Sequence, residues 1–295
     1  MEDRQNNISV IGGDTRYITL IKSLSTTFQQ IYVYGFSDIE FPFPVTVCDK
    51  IEEAISKSNF IIGPIPCSQD NETFFAPYHK GKPIKLKDIA SYLSKEDTFI
   101  AGHMTPIVKE IIGKKCTIID LLEREEFAIY NAIPTAEGAI QIAMEEQPIT
   151  LHSSQVLILG FGRCGKILAN QLQGLGAKVT IAARNQRDLA YSTAYGYQSI
   201  RLKDIKKKIS IFDFIFNTIP SRILDEEHLS YVRKDSIIID LASKPGGVDY
   251  TSAKKQGVKA MLCLGLPGKM APTTAALIIK KTILAIGEER GNGIC

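Results

Sequence analysis

The sequence predicts an α/β protein made of two doubly wound domains with parallel sheets and a cleft between them. Three observations carry this expectation: the chain length, a regular alternation of short apolar runs with longer helix-like segments, and a glycine-rich turn joining one such run to one such segment. At 295 residues the chain is long enough for two domains of roughly 100–200 residues, each burying a core of its own. The runs "ISVIGG" (8–13), "IYVYGF" (31–36), "NFIIG" (59–63), "TFIAG" (98–102) and "CTIIDL" (116–121) read as a first set of strands. "QVLILG" (155–160), "KVTIAA" (178–183), "FDFIFNT" (212–218), "SIIIDLA" (236–242) and "KAMLCLG" (259–265) read as a second. Ile, Val and Leu follow one another almost without interruption in these runs, which suits parallel strands covered on both faces.

The two sets set the expected boundaries. Residues 1–125 form an N-terminal, substrate-side domain, 126–150 an inter-domain helical segment, and 151–295 a dinucleotide-binding domain closed by a long C-terminal helix. The segment "EREEFAIYNAIPTAEGAIQIAMEEQPIT" (123–150) is mostly helix-like, with Pro134 expected at a break or at an N-terminal helical position. "APTTAALIIKKTILAIGEER" (271–290) reads as one amphipathic helix opening at Pro272 and Thr273. The pattern leaves open whether that helix lies on its own domain or packs on the first. The final "GNGIC" reads as a frayed end.

Composition narrows the function classes. Hydrophobic residues make up 44% and charged residues 23%, the balance of a soluble globular enzyme. The net charge of +3, from 35 basic and 32 acidic residues, argues against nucleic-acid binding through bulk electrostatics. The basic run "KDIKKKIS" (203–210) reads as a solvated helix face. Six cysteines lie scattered, with no CxxC or metal-ligand spacing, as expected of reduced thiols in the cytoplasm. No basic-plus-apolar leader opens the chain, and "AALII" near the end is stopped by Lys280 and Lys281, far short of the ~20 residues a membrane span requires.

The chemistry is concentrated in "VLILGFGRCGKILANQL" (156–172). Gly160, Gly162 and Gly165 have GxGxxG spacing, with Arg163 and Cys164 between them, after an apolar run and before a helical pattern. This is the signature of a Rossmann-like dinucleotide site. The first glycine permits the tight turn, the second lets a pyrophosphate approach the backbone, and the third lets helix and strand pack closely. The free N–H groups and the positive end of the helix dipole hold the anion.

About twenty residues on, "KVTIAARN" (178–185) ends in Ala183, Arg184 and Asn185. An Asp or Glu at this place commonly grips the ribose hydroxyls of NAD and would repel a 2′-phosphate. Arg184, with Asn185 as a neighbouring donor, can instead pair with that phosphate, so NADP is the expected cofactor.

Other loops fall at the ends of strand runs, where ligands of such sheets bind. Thr218, Ile219 and Pro220 in "NTIPS" (217–221) are expected on the adenosine side. Ala242, Ser243 and Lys244 in "ASKPGG" (242–247), with Leu266 and Pro267 in "GLPGKMAPTTA" (265–275), are expected nearer the nicotinamide. Near the start, "VIGGDTR" places Asp14 and Arg16 at a strand end. Arg16 could meet a substrate carboxylate or be a surface helix residue. His103, after "TFIAG", could act as a general base. The four histidines form no metal-like pair, and neither GxSxG nor HExxH occurs, so no metal site is expected.

Taken together, "VIGGDTR", "EREEFAIYNAIPTAEGAI", "LGFGRCG" with "AAR", "FNTIPS", "IIDLASKPGG", "KQGVKA" and "GLPGKMAPTTA" resemble the family of dipicolinate synthase A subunits over essentially the whole chain. The second domain is more distantly similar to the cofactor domains of D-2-hydroxyacid and alanine dehydrogenases. The resemblance implies an NADP-dependent oxidation of a dihydrodipicolinate-level precursor to dipicolinate (pyridine-2,6-dicarboxylate) during sporulation, in the cytoplasm of the mother cell. It also implies a heteromeric complex with the flavoprotein-like B subunit of dipicolinate synthase, and it leaves room for a homo-oligomer. A dicarboxylate substrate needs cationic partners, for which Arg16, Arg124, Lys244 and Arg222 are candidates. Thr135, Glu137 and Thr273, in the matching blocks "IPTAEG" and "KMAPTTA", are expected in the substrate pocket. Lys244, Glu137 and Thr135 are the expected catalytic residues, with Glu137 or water taking the proton, and Arg16, Asp14 and Thr273 the expected substrate-binding ones. Two other readings remain open: an NADP-dependent dehydrogenase or imine reductase acting on another small carboxylated substrate, and a non-catalytic NADP-binding subunit.

Overall fold

Residues 4–290 are described by a computed structural model; the expected frayed end at 291–295 lies outside them. The chain forms two compact units. One comprises residues 1–128 together with 272–295, and the other residues 129–271. The C-terminal helix, whose packing the sequence pattern leaves open, belongs with the first unit and not with the residues 151–271 that precede it.

The first unit alternates strand and helix: β1 (Asn7–Ile11), α1 (Thr15–Leu24), β2 (Gln30–Tyr34), β3 (Thr46–Val47), α2 (Ile51–Ser56), β4 (Phe60–Ile62), α3 (Leu86–Tyr92), β5 (Thr98–Ala101), α4 (Pro106–Gly113) and β6 (Thr117–Asp120). α5 (Glu125–Glu146) leads out of it. The second unit contains β7 (Gln155–Leu159), α6 (Arg163–Gly174), β8 (Lys178–Ala183), α7 (Gln186–Ala194), β9 (Gln198–Arg201), β10 (Phe214–Asn217), α8 (Glu226–Leu229), β11 (Ile237–Asp240), α9 (Tyr250–Lys255), β12 (Lys259–Leu262) and α10 (Leu266–Met270). α11 (Pro272–Glu289) returns to the first unit.

Each unit has a six-stranded sheet, ordered β3-β2-β1-β4-β5-β6 in the first and β12-β11-β10-β7-β8-β9 in the second. All the pairings are parallel. Both sheets wind outward from a central first strand, so the carboxyl ends of β1 and β7 open where the strand order reverses. The two-domain, doubly wound α/β architecture read from the sequence is what the structure contains.

α11 shows why the first unit needs the end of the chain. Its Ala276, Ile279, Ile283 and Ile286 recur at helical spacing and are buried in one cluster with Tyr17, Leu20, Ile21 and Leu24 of α1. At its far end, Glu289 accepts two hydrogen bonds from the Arg124 guanidinium, at 2.8 and 2.6 Å. Arg124 is therefore committed to a carboxylate of its own unit and drops out as a substrate ligand.

Pro134 marks another difference. It is buried in the interior of α5, neither breaking nor starting the helix. A proline removes one N–H from the ladder and crowds the preceding turn, and tertiary burial of this helix outweighs that cost. Ala136, Ala139, Ile140 and Ala143 pack it into the core of the second unit.

Replacing Ile283, fully buried in α11, by Ala is expected to destabilise the first unit by about 2–5 kcal/mol. Urea unfolding followed by circular dichroism checks this. A loss below about 1 kcal/mol would mean that α11 contributes little to that core.

Candidate dinucleotide site

The turn after β7 shows the division of labour expected of its glycines. Gly160 has φ of +97°, and a Cβ there would lie 2.5 Å from Thr218 Oγ1. A Cβ on Gly165 would lie 2.3 Å from the Gly160 carbonyl oxygen, so α6 touches the strand it follows. Around Gly162 a Cβ would meet nothing within 4 Å. Gly162 is also the N-cap of α6, and no side chain caps the helix. An open, uncapped helix start with backbone N–H groups facing outward is a cradle for a pyrophosphate. The residues present fit a bound dinucleotide.

Arg163 is exposed beside this cradle. Cys164 is largely enclosed, and burial pushes its thiol up to about 11, so it remains protonated at neutral pH and contributes no charge to the anion seat. Thr218 sends both its N–H and its Oγ1 to the Leu159 carbonyl, at 2.9 and 2.8 Å, and so packs its side chain against Gly160. Ile219 lines the same glycine, and Pro220 is exposed.

Arg184 follows β8 with an exposed side chain, and its Nη2 donates to Ser221 Oγ at 3.2 Å. Asn185 is not placed as expected. Its Oδ1 accepts from the Asp188 N–H at 2.7 Å as the N-cap of α7, and its Nδ2 donates to Asp188 Oδ2 at 2.9 Å. The local demand of a helix start has taken the amide that was expected to serve the cofactor.

At the ends of β10 and β11 lies a buried network that the sequence reading did not identify. The Asp240 side chain, 0% exposed, accepts from Asn217 Nδ2 (2.8 Å), the Ala242 N–H (3.0 Å), the Gly247 N–H (2.6 Å) and Tyr250 OH (2.7 Å). Four donors satisfy a carboxylate that would otherwise be very costly to bury. Burial, followed by the hydrogen bond to Asp240, drives the Tyr250 phenol far above its ordinary range. The carboxylate closes the 242–247 loop at both ends. Gly247 must be glycine, since a Cβ would lie 2.2 Å from Asn217 Nδ2. Ser243 and Lys244 are left exposed at the loop tip, while Ala242 is buried.

The remaining candidates divide. Leu266 and Pro267 are buried, and Leu266 packs against α5 at Gly138 as a core residue. Thr135 Oγ1 bonds back to the Asn131 carbonyl at 2.8 Å. Glu137 is exposed beside a groove whose opposite wall is Gln171, Gly174 and Leu175. That wall is the C-terminal end of α6, and its nearest residue, Gln171, is roughly 13 Å along the helix from the glycine turn at a rise of about 1.5 Å per residue. The surroundings of Glu137 therefore give it no link to chemistry at the turn. Arg222 lies 3.9 Å from Asp249.

In the first unit, Asp14 and Arg16 are brought together at the end of β1, but as partners of each other. Asp14 caps α1, and Arg16 Nη2 reaches Asp14 Oδ2 at 2.8 Å and also donates to the Ile65 carbonyl. This pairing neutralises the charge that was expected to meet a substrate carboxylate. Thr273 is exposed on the first turn of α11. His103 is exposed with φ of +56°, held by Asp120, which accepts from the His103 and Met104 N–H groups at 3.0 and 2.7 Å. Among the described residues no group of three His, Cys, Asp or Glu side chains is placed to hold a metal ion, and no helix is long and apolar enough to cross a membrane.

Comparison with known proteins agrees with this geometry. Residues 130–245 match the family "D-isomer specific 2-hydroxyacid dehydrogenase, NAD binding domain". Fold and turn together define an oxidoreductase of dehydrogenase type with a domain for a nicotinamide dinucleotide. Residues 7–122 match the N-terminal domain family of the dipicolinate synthase A subunit. The chain is 34% identical over 290 residues to the dipicolinate synthase A subunit of Bacillus subtilis (strain 168), covering 96% of this chain and 98% of that one. The crystal structure of the dipicolinate synthase A subunit from Bacillus halodurans aligns with a TM-score of 0.89 at 31% identity, over 96% of this chain and 97% of the other. The Bacillus subtilis A chain aligns at 0.88 and 34%, over 96% of each. The chain belongs to the family of dipicolinate synthase A subunits.

Asp240→Ala is expected to destabilise the second unit by roughly 3–5 kcal/mol, because it strands buried donors. Tyr250→Phe, which removes one of the four bonds, is expected to cost about 1.5 kcal/mol. Chemical denaturation of the two variants checks the order; equal losses would argue against the carboxylate as the hub.

Proposed function

We propose that this chain oxidises a dihydrodipicolinate-level precursor to dipicolinate with NADP, as one component of a heteromeric enzyme in the mother-cell cytoplasm of a sporulating bacterium. One observation carries the reading: in a chain of this family, the residue after β8 is Arg184 rather than an acid, with Ser221 beside it. No carboxylate pairs with Arg184 among the described residues, so the guanidinium keeps its charge for a phosphate.

In this reading the glycine turn holds the pyrophosphate and Arg184 the adenosine 2′-phosphate. Bound there, the nicotinamide supplies a hydride acceptor. Lys244, presented on its anchored loop, pairs with a ring carboxylate and orients the ring, while Thr135 helps to shape the pocket. Aromatisation makes the step downhill, so water suffices to take the proton that leaves with the hydride. The relatives are named as one lettered component of their synthase, which supports a partner. The flavoprotein-like B subunit of the synthase is the proposal.

Calorimetric titration with NADPH and NADH is the test of the cofactor. NADPH is expected to bind at least about tenfold more tightly, with Arg184→Ala erasing the gap. NADH binding as tightly as NADPH would overturn the NADP assignment. For the substrate, Lys244→Ala is expected to lower turnover about 10- to 100-fold while changing NADPH affinity less than about twofold. Unchanged turnover would remove Lys244 from the pocket.

A further inference from the structure

The Arg184–Ser221 contact has a topological meaning. In the second sheet β7 lies between β10 and β8. Arg184 follows β8, and Ser221 lies in the loop after β10. A hydrogen bond between them therefore spans the carboxyl end of β7, where the glycine turn begins. Ser221 is held there independently of Arg184. Upstream of it, Asn217 Nδ2 donates to the Ile219 carbonyl at 3.0 Å. Downstream, the Ile223 and Leu224 N–H groups both donate to the Gly247 carbonyl, at 2.8 and 3.0 Å.

We infer that Ser221 is a specificity-determining residue for the cofactor and forms, with Arg184, a two-residue seat for the adenosine 2′-phosphate. The inference rests on the NADP reading above and deepens it. The chemistry follows from what each group has left to give. Ser221 Oγ accepts from Arg184 Nη2. A hydroxyl that accepts from a cation still has its own proton to donate. No acceptor within the described residues takes that proton, so it is available to a phosphate oxygen. Asn185, the neighbouring amide expected to be the second donor, is spent on Asp188. The next cation along the loop, Arg222, faces Asp249. Ser221 is thus the neutral donor placed next to the unpaired guanidinium. It also holds the guanidinium of Arg184 over the turn before the cofactor arrives, which lowers the ordering cost of binding.

The test uses the full chain and three probes in calorimetry: NADPH, NADH and adenosine 2′,5′-bisphosphate, which carries the 2′-phosphate without the nicotinamide. Ser221→Ala is expected to weaken NADPH and the bisphosphate about 3- to 10-fold and to leave NADH unchanged. Ser221→Thr, which retains a hydroxyl, should restore most of the affinity. In an Arg184→Ala background, removing Ser221 should cost less than it does alone, since the two act on one phosphate. If Ser221→Ala leaves NADPH binding intact while Arg184→Ala weakens it, the role given to Ser221 is overturned and the NADP reading stands. Failure of both variants to alter the preference of NADPH over NADH, or absence of that preference in the unaltered chain, overturns both.

Discussion

The second unit depends on one contact, the approach of α6 to the strand it follows. The Cα of Gly165 sits so close to the Gly160 carbonyl that a single methyl group would collide with it. That closeness sets where the helix starts and where its unsatisfied N–H groups point. The turn is tight on one side, where Thr218 presses on Gly160, and open at Gly162. The anion seat is defined by where side chains are absent, which is why no charged residue within the turn is needed to make it attractive to a phosphate.

A second constraint acts at the neighbouring strand ends. Asp240 is a buried carboxyl group whose donors come from β10, from both ends of one loop and from α9. Because each donor is used, the loops on either side of it are fixed by the interior of the sheet and not by contacts at the surface. Under the proposed function their exposed tips carry the groups that meet ligand, Lys244 on one and Ser221 on the other, without having to stabilise themselves.

Much of this was legible in the sequence, and what was not has identifiable causes. The strands with unbroken Ile, Val and Leu runs were readable because burial on both faces demands such runs. β3 and β9 were missed. The first has two residues, and the second, "QSIR", is a largely exposed edge strand with no apolar pattern to betray it. Pro134 was misjudged because propensity is local, whereas the burial of α5 is not. The glycine positions were readable from spacing, since their roles follow from the turn itself. Asp240 stands at the end of an apolar run, where the sequence by itself gives it no role. Its role depends on Asn217 and Tyr250, and no local pattern joins these three. Arg124 escapes for the same reason, its partner lying 165 residues away. Asn185 is a local case, an N-cap bonded to Asp188 three residues on, which its place at a helix start could have signalled.

The return of α11 to the first unit makes the second an insertion, bounded by residues 129 and 271. During synthesis the inserted unit is therefore complete before the outer one. β1 to β6 emerge first, yet the face of α1 that α11 covers remains bare until α11 itself leaves the ribosome. For that interval the earliest-made strands belong to the unit whose residues are completed last.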